Sequence, residues 1–411
     1  MFPTTRGRLT QVLGALLPVR DILAERALDV TPPSWAERRG WVPFLLALSD
    51  QQVKACEADG FATQLPALSE VPLDLLELAR NSLELARLPI LERSHAIGPE
   101  RLRSVPLRKR AQLSALLGAV EPMAAEARRI IDVGAGSGHF TRLAAELFDT
   151  EAVGLERNAE RVAAATRRVT EQPGLGRATA TFITVDAKDG ELSFSDQDLA
   201  IGLHACGELG DRLVRAAGSA GCDVALVSCC LQKRSEPFRD PLVALADAFP
   251  LRRDVLGLTN LTAQPQGVEV SIETTILARQ TRYALGRLLR ARGLSVVPGA
   301  EMTGINRRRA NAGLGAVAAL ALALRGLPPA SAAEVSQHEA EAEARFAIVR
   351  RLSLPRSMLA RLVEVAVSLD RGAFLEERGL NVRVATLFER SVTPRNIGVF
   401  ASRSLSRLPV A

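Results

Sequence analysis

The chain reads as an α/β protein: a mainly parallel sheet covered by helices on both faces, with helical segments before it and inserted near its end. Three observations predict this. Short apolar runs rich in Val, Ile, Leu and Ala recur near 129–133, 152–156, 180–185, 198–203 and 223–229. They are separated by stretches with helical spacing of apolar residues, which argues for crossover helices rather than hairpins. The runs are apolar throughout instead of alternating, as expected of strands buried on both faces.

At 411 residues the chain is long enough for two or three domains, and 47% hydrophobic residues allow a sizeable core and exclude wholesale disorder. The net charge of +6 is spread over 52 basic and 46 acidic side chains, so an anionic partner is allowed but not demanded. Lys54, Lys109, Lys188 and Lys233 are the only lysines; arginine supplies the other basic residues. Cys56, Cys206, Cys222, Cys229 and Cys230 form an odd, clustered set, which does not read as a disulfide framework and favours a reducing compartment. Gln11 interrupts the first apolar stretch, and the longest apolar run, Ala312–Leu324, is shorter than the roughly 20 residues a spanning helix needs. A soluble cytoplasmic protein, with no membrane partner, is the expectation.

Taken in order, residues 1–105 read as an N-terminal helical domain broken by prolines. Ser49-Asp50-Gln51-Gln52 has the form of a capping box and Gly60 can end that helix; Leu73–Leu88 repeats apolar residues at helical spacing. Trp35 and Trp41 are better read as packing anchors than as recognition aromatics. Residues 106–230 hold a helix near 107–127 and then the five strands, with helices near 139–147, 158–170 and 207–217 between them. Residues 231–355 break that rhythm, with helical stretches near 240–249, 275–292 and 312–325, and read as a helical insertion that could cap a substrate. Residues 356–411 return to the sheet through a helix at 357–370 and a closing hairpin, 381–388 with 396–402.

The most informative stretch is Asp132–Phe140, DVGAGSGHF. A strand runs into Gly134, Ala135, Gly136 and Gly138, and a helix opens at His139. Glycines let the backbone turn sharply and approach a ligand, and the helix N-terminus offers unpaired N–H groups. Glu156 ends the second strand, beside Arg157, where a carboxylate can accept both hydroxyls of a ribose. Two nucleoside cofactors compete for this arrangement. The dinucleotide fingerprint wants G-x-G-x-x-G, whereas His139 occupies the last position and the spacing is G-x-G-x-G. S-adenosylmethionine has no pyrophosphate to cradle, and Asp186-Ala187 after the third strand adds a carboxylate for its adenine amino group. S-adenosylmethionine is therefore favoured over NAD and over a ligand-free loop.

These motifs resemble a class I, Rossmann-like, seven-stranded S-adenosylmethionine-dependent methyltransferase. LHACGELGDRL (Leu203–Leu213), VSCCLQK (Val227–Lys233) and VTPRNIGVFA (Val392–Ala401) are similar to segments of the methyltransferase-like family that includes the ribosomal RNA adenine dimethylase domain-containing protein. Arg108-Lys109 stands where that family carries a basic pair. The likeness covers roughly 105–232 and 357–403, with Leu231 where tyrosine is usual and Arg108 where the first lysine is. A more distant likeness to a tRNA 2′-O-methyltransferase family tilts the expected acceptor toward RNA, tRNA or rRNA. A protein or small-molecule acceptor, or a non-catalytic module keeping the fold, is the alternative.

Methyl transfer from a sulfonium is an in-line displacement, so it depends on placing the nucleophile about 3 Å from the methyl carbon, and a base is needed only when the acceptor must lose a proton. In an open α/β sheet the acceptor belongs beyond the carboxyl ends of the central strands, where His204 and Cys206 end the fourth strand, after Leu203 as a cofactor contact, and Cys229 and Cys230 end the fifth. His204 suits a general base, with loop capping or cofactor contact as the weightier alternative; Cys206 is expected near the substrate. As strand neighbours, Cys229 and Cys230 would point to opposite faces and not share an ion, so no metal is expected. Arg101, Arg103, Arg108, Lys109 and Arg110, with Arg307, Arg308 and Arg309, are basic faces that could grip RNA phosphates; no DNA partner is expected.

Overall fold

The computed structural model describes residues 4–103, 105–171, 178–186, 190–246, 249–260, 271–297, 299–389, 392–393 and 395–410. Seven strands form one sheet: β1 (Arg129–Val133), β2 (Glu151–Glu156), β3 (Ala180–Thr184), β4 (Asp198–Leu203), β5 (Asp223–Val227), β6 (Asn381–Thr386) and β7 (Ile397–Ser402). Their order is β3-β2-β1-β4-β5-β7-β6. β1 to β5 pair in parallel, while β7 enters antiparallel between β5 and β6. That order, with its one antiparallel insertion, is the seven-stranded Rossmann-like methyltransferase fold.

The apolar runs fold as they do because both sheet faces are covered. Ile130, Val133, Leu199, Ile201, Val224 and Val227 are all fully buried. The chain order reverses direction between β1 and β4, so the first crossovers leave β1 toward β2 and β3 and later ones run toward β5. This opens a crevice at the carboxyl ends of β1 and β4, the place where such sheets bind ligands.

Several expected elements differ. β5 stops at Val227, so Cys229 and Cys230 lie in the loop beyond it. Where a helix near 240–249 is expected, Ala244–Ala246 form a short 3-10 turn, residues 247–248 lie outside the described residues, and Phe238–Arg239 pair with Leu251–Arg252 in a two-stranded ribbon. A long helix, Ala332–Met358, runs through Pro355, which sequence reading took as a boundary. An interior proline costs a helix about 3 kcal/mol, but here it falls in the last turn, flanked by the buried Leu352 and Leu354. A second helix, Ala360–Glu376, follows at once.

The chain forms two compact units, and neither is continuous in sequence. The first comprises Met1–Pro18, Glu84–Pro265 and Ala360–Ala411; the second comprises Val19–Leu83 and Gln266–Leu359. The expected partition at 105, 230 and 355 is therefore cut differently. In the first unit the opening helix Thr5–Leu16 joins the sheet domain: the Thr5 N–H donates to Glu376 Oε1 at 2.8 Å. In the second, Glu57 accepts from Arg279 at 2.7 Å and Arg350 at 2.6 Å, and Asp29 accepts from Tyr283 at 3.1 Å and Arg345 at 2.9 Å. Such ion pairs tie the early helices to the late insertion across more than 200 residues. Trp35 and Trp41 are buried there, as packing anchors should be. The Ser49–Gln52 capping box and the Gly60 stop are both formed.

Candidate active site

The turn after β1 is built by glycines in the left-handed region: Gly134 at φ 81°, Gly136 at 59° and Gly138 at 71°. Two different pressures select them. A side chain at Gly138 would strike Phe182 at 2.5 Å, so packing excludes it; at Gly134 the nearest atom would be Leu209 Cδ2 at 3.7 Å, and at Gly136 the Gly134 carbonyl at 3.9 Å. A side chain at the first two glycines would thus make only ordinary van der Waals contact, while the third is clamped beneath Phe182.

Glu156 is buried at the end of β2 and holds this turn in place. Its Oε2 accepts the Gly136 N–H and its Oε1 the Asn158 N–H, each at 3.0 Å. A carboxylate oxygen keeps lone pairs beyond one such bond, so acceptor capacity for hydroxyls remains. Ala135 is half-buried within the turn, whereas Arg157 and Asp186 stand exposed after β2 and β3. Ala187 and the Arg108 side chain lie outside the described residues.

Under the turn, Asp132 is fully enclosed. Thr141 Oγ1 donates to it at 2.7 Å, and burial, reinforced by the charge of Glu156, pushes its carboxyl up to about 6. His139, at the start of the helix His139–Phe148, is buried with Nδ1 unpartnered; burial first, then Arg168 and Lys109, bring its imidazole down to about 4.

Leu203 ends β4, and His204 turns the chain with φ 65°, a conformation costly for a residue with a side chain and typical of functional turns. Gln112 Oε1 lies 3.0 Å from His204 Nε2. An amide oxygen only accepts, so Nε2 carries the proton and Nδ1 presents a lone pair; that Nδ1 is buried and has no partner. Burial, then Lys109 and Arg395, lowers the ring to about 4, leaving it neutral at physiological pH. Lys109 itself is exposed, forms no ion pair among the described residues, and acts electrostatically on Asp132, His139 and His204 alike.

Cys206, expected as a free thiol near the substrate, is instead joined to Cys229 by a disulfide, with Cα atoms 5.4 Å apart. The His204 turn and the early end of β5 bring the two loops together. Cys230 belongs to the same cluster: the three sulfurs lie within 4.8 Å of one another. The opposite-faces expectation fails because these cysteines are not on a strand.

One side chain that sequence reading missed fixes both loops. Arg371, buried on the helix Ala360–Glu376, donates to Asp211 at 2.9 Å, to the Gly207 carbonyl at 3.1 Å and to Ser228 Oγ at 2.5 Å. Asp211 also pairs with Arg239 at 3.0 Å and Arg234 at 3.2 Å. Burial alone would raise the Asp211 carboxyl, but Arg239, Arg371 and Arg234 outweigh it and hold it well below the usual carboxylate range. Gln112 and Arg371 are both remote in sequence from the motifs they support, and no local signal marks either.

The basic faces differ from the expected rim. Arg101 is ion-paired with Glu146 at 2.7 Å, and Arg110 Nε donates to the Val105 carbonyl at 3.1 Å, whereas Arg103 is exposed. Arg307, Arg308 and Arg309 are exposed in the other unit, on a 3-10 turn.

Residues 108–236 match a family model described as a methyltransferase domain. Among solved structures, the YcgJ protein of Bacillus subtilis is 21% identical over 28% of this chain and 49% of its own, with a TM-score of 0.24. An S-adenosylmethionine-dependent methyltransferase from Thiobacillus denitrificans, in complex with S-adenosyl-L-homocysteine, is 20% identical over 33% and 50%, with a TM-score of 0.24. The tRNA (uracil-54, C5)-methyltransferase of Pyrococcus abyssi, also with S-adenosyl-L-homocysteine, is 21% identical over 29% and 28%, with a TM-score of 0.23. This chain covers half or less of each of those chains; the fold stands on the strand order itself. No described helix is long and apolar enough to cross a membrane.

S-adenosylmethionine is the cofactor that such a domain calls for, and the residues present fit it. Gly134 and Gly136 leave a cradle that a Cβ would fill, with Glu156 at its side and Asp186 beyond β3.

Proposed function

We propose that this chain transfers a methyl group from S-adenosylmethionine to a nucleophile in RNA. The observation that carries the transfer reading is the open Gly134–Gly136 turn tethered to Glu156, next to a strained His204 whose Nδ1 is unpartnered. When bound, S-adenosylmethionine supplies an electrophilic methyl carbon on a sulfonium. Glu156 orients the ribose, Asp186 the adenine, and the turn around Ala135 and Gly136 the methionine part. His204 Nδ1 accepts the proton of the incoming nucleophile, while Gln112 keeps the ring in the required tautomer. Lys109 is an exposed cation whose charge reaches His204.

The RNA reading is supported by the likeness of LHACGELGDRL and VTPRNIGVFA to the methyltransferase-like family named above, and by exposed cations at Arg103 and Lys109 in one unit and Arg307–Arg309 in the other. Backbone phosphates suit such groups; one tyrosine, Tyr283, and four histidines count against recognition by base stacking, so the RNA expected is structured and held by its backbone and shape. Labelled methyl transfer into total RNA, total protein and small-molecule extract, run side by side, tests it. Label in RNA is expected. Label only in another fraction overturns the acceptor, and absence of label everywhere despite bound S-adenosylhomocysteine overturns the transfer itself.

A further inference from the structure

We propose that Cys206, Cys229 and Cys230, in the reduced chain, together bind one zinc ion at the carboxyl ends of β4 and β5. The three thiols come from two adjacent loops, and their sulfurs lie within 4.8 Å of one another. Tetrahedral zinc–thiolate bonds of about 2.3 Å place sulfurs about 3.8 Å apart; Cys206 and Cys229, with Cα atoms 5.4 Å apart, can take that spacing once their bond is open, and the Cys230 sulfur lies within 4.8 Å of both. A disulfide employs two of the three sulfurs; a soft cation explains why the third is held with them.

The surroundings suit a thiolate-bound ion. Arg371 donates to the Gly207 carbonyl and to Ser228 Oγ, the residues next to Cys206 and Cys229, so one side chain links the loops on both sides of the cluster. Three thiolates around a divalent ion leave one negative charge. Arg395 is buried, pairs through Nη1 with Glu364 at 3.7 Å, and also lies within electrostatic range of Cys230. Three protein ligands leave the fourth position to solvent or to a substrate donor, the pattern of reactive rather than purely structural zinc sites. β4 also borders the crevice at the carboxyl ends of β1 and β4, where an open sheet of this kind admits ligands.

Loading requires the disulfide to open. A water-soluble phosphine does this: it takes oxygen from water and becomes the phosphine oxide, while each sulfur gains one proton and shares two electrons. Zinc then displaces the three thiol protons to the buffer.

The full-length chain, reduced with such a phosphine under nitrogen, is titrated with zinc against a chromophoric chelator, and separately with cobalt(II) to detect thiolate-to-metal charge transfer. About one ion per chain is expected, with charge-transfer absorption, and Cys230→Ser should weaken binding at least 10-fold while leaving the thermal melt of the metal-free chain in place. Cys230→Ser binding zinc as the parent does, or the parent binding no more than a variant with all three cysteines changed to serine, would overturn the site. No methyl donor enters this titration, so its failure is distinguishable from failure of the transfer reading, which calorimetry with S-adenosylhomocysteine measures.

Discussion

His204 Nε2 and Gln112 Oε1 meet at 3.0 Å, although 92 residues separate them. The contact fixes the imidazole on the strained turn after β4 and leaves Nδ1 as its free face. His204→Ala should lower kcat roughly 100-fold, the usual contribution of a positioned base. Gln112→Ala should lower it as well, and Gln112→Glu, which still accepts from Nε2, should restore most of it. Affinity for S-adenosylhomocysteine should stay within about twofold in all three, because none touches the glycine turn. Unchanged turnover in both alanine variants would remove the proton-accepting role.

Glu156 accepts two backbone N–H groups and faces the donor cradle. Glu156→Ala should weaken S-adenosylhomocysteine binding by roughly 1–3 kcal/mol, through lost charge-assisted hydrogen bonds. Isothermal calorimetry reads this directly, and equal affinities would detach Glu156 from the ribose.

The glycines should separate by cause. Gly134→Ala meets no described residue beyond its chain neighbours closer than 3.7 Å, so it should fold at a cost of about 1–2 kcal/mol for its φ while obstructing the donor. Gly138→Ala meets Phe182 at 2.5 Å and should lose folding as well as binding. Melting curves and calorimetry on the two variants check this; a Gly134 variant that binds donor normally would contradict an occupied cradle.

Asp132 should leave a signature in the pH dependence of stability. Its carboxyl is raised to about 6 by burial, so the folded chain holds a proton that the unfolded chain releases near 3.8. Unfolding free energy therefore falls as pH rises from about 4 to 6, a penalty of roughly 2–3 kcal/mol above that window. Asp132→Asn keeps an acceptor for Thr141 and escapes the penalty, so its stability relative to the parent should grow by that amount between pH 4 and 7. Parallel curves in urea denaturation would refute the shift.

Arg371→Met should cost about 3–5 kcal/mol, since it strips a partner from the enclosed Asp211. It should also loosen the loops carrying Cys206 and Cys229. Protection of amides 205–207 and 228–230 in hydrogen exchange would fall; unchanged protection would mean the loops hold themselves.

Residues close together in the chain were legible in the sequence. The bend DVGAGSG announces itself because glycine adopts those dihedrals without the cost other residues bear, and Glu156 follows from the length of one helix and one strand. The apolar runs of β1 to β5 follow from burial on both faces, and the Ser49–Gln52 cap from local hydrogen bonding. The ends of elements were harder. Extending β5 to Cys229 put its cysteines on opposite faces, whereas the strand stops at Val227 where pairing with β7 ends.

By itself, then, the sequence determined the alternation of strands and helices, the glycine turn and its acidic companion, since each depends on backbone preferences within about thirty residues. Only the tertiary structure decided that Gln112 serves His204, that Arg371 binds two loops, that three cysteines converge, and that residues 19–83 pack with 266–359. Those relationships depend on charge pairing and enclosure between distant segments, and no local periodicity records which distant partner will satisfy a buried group.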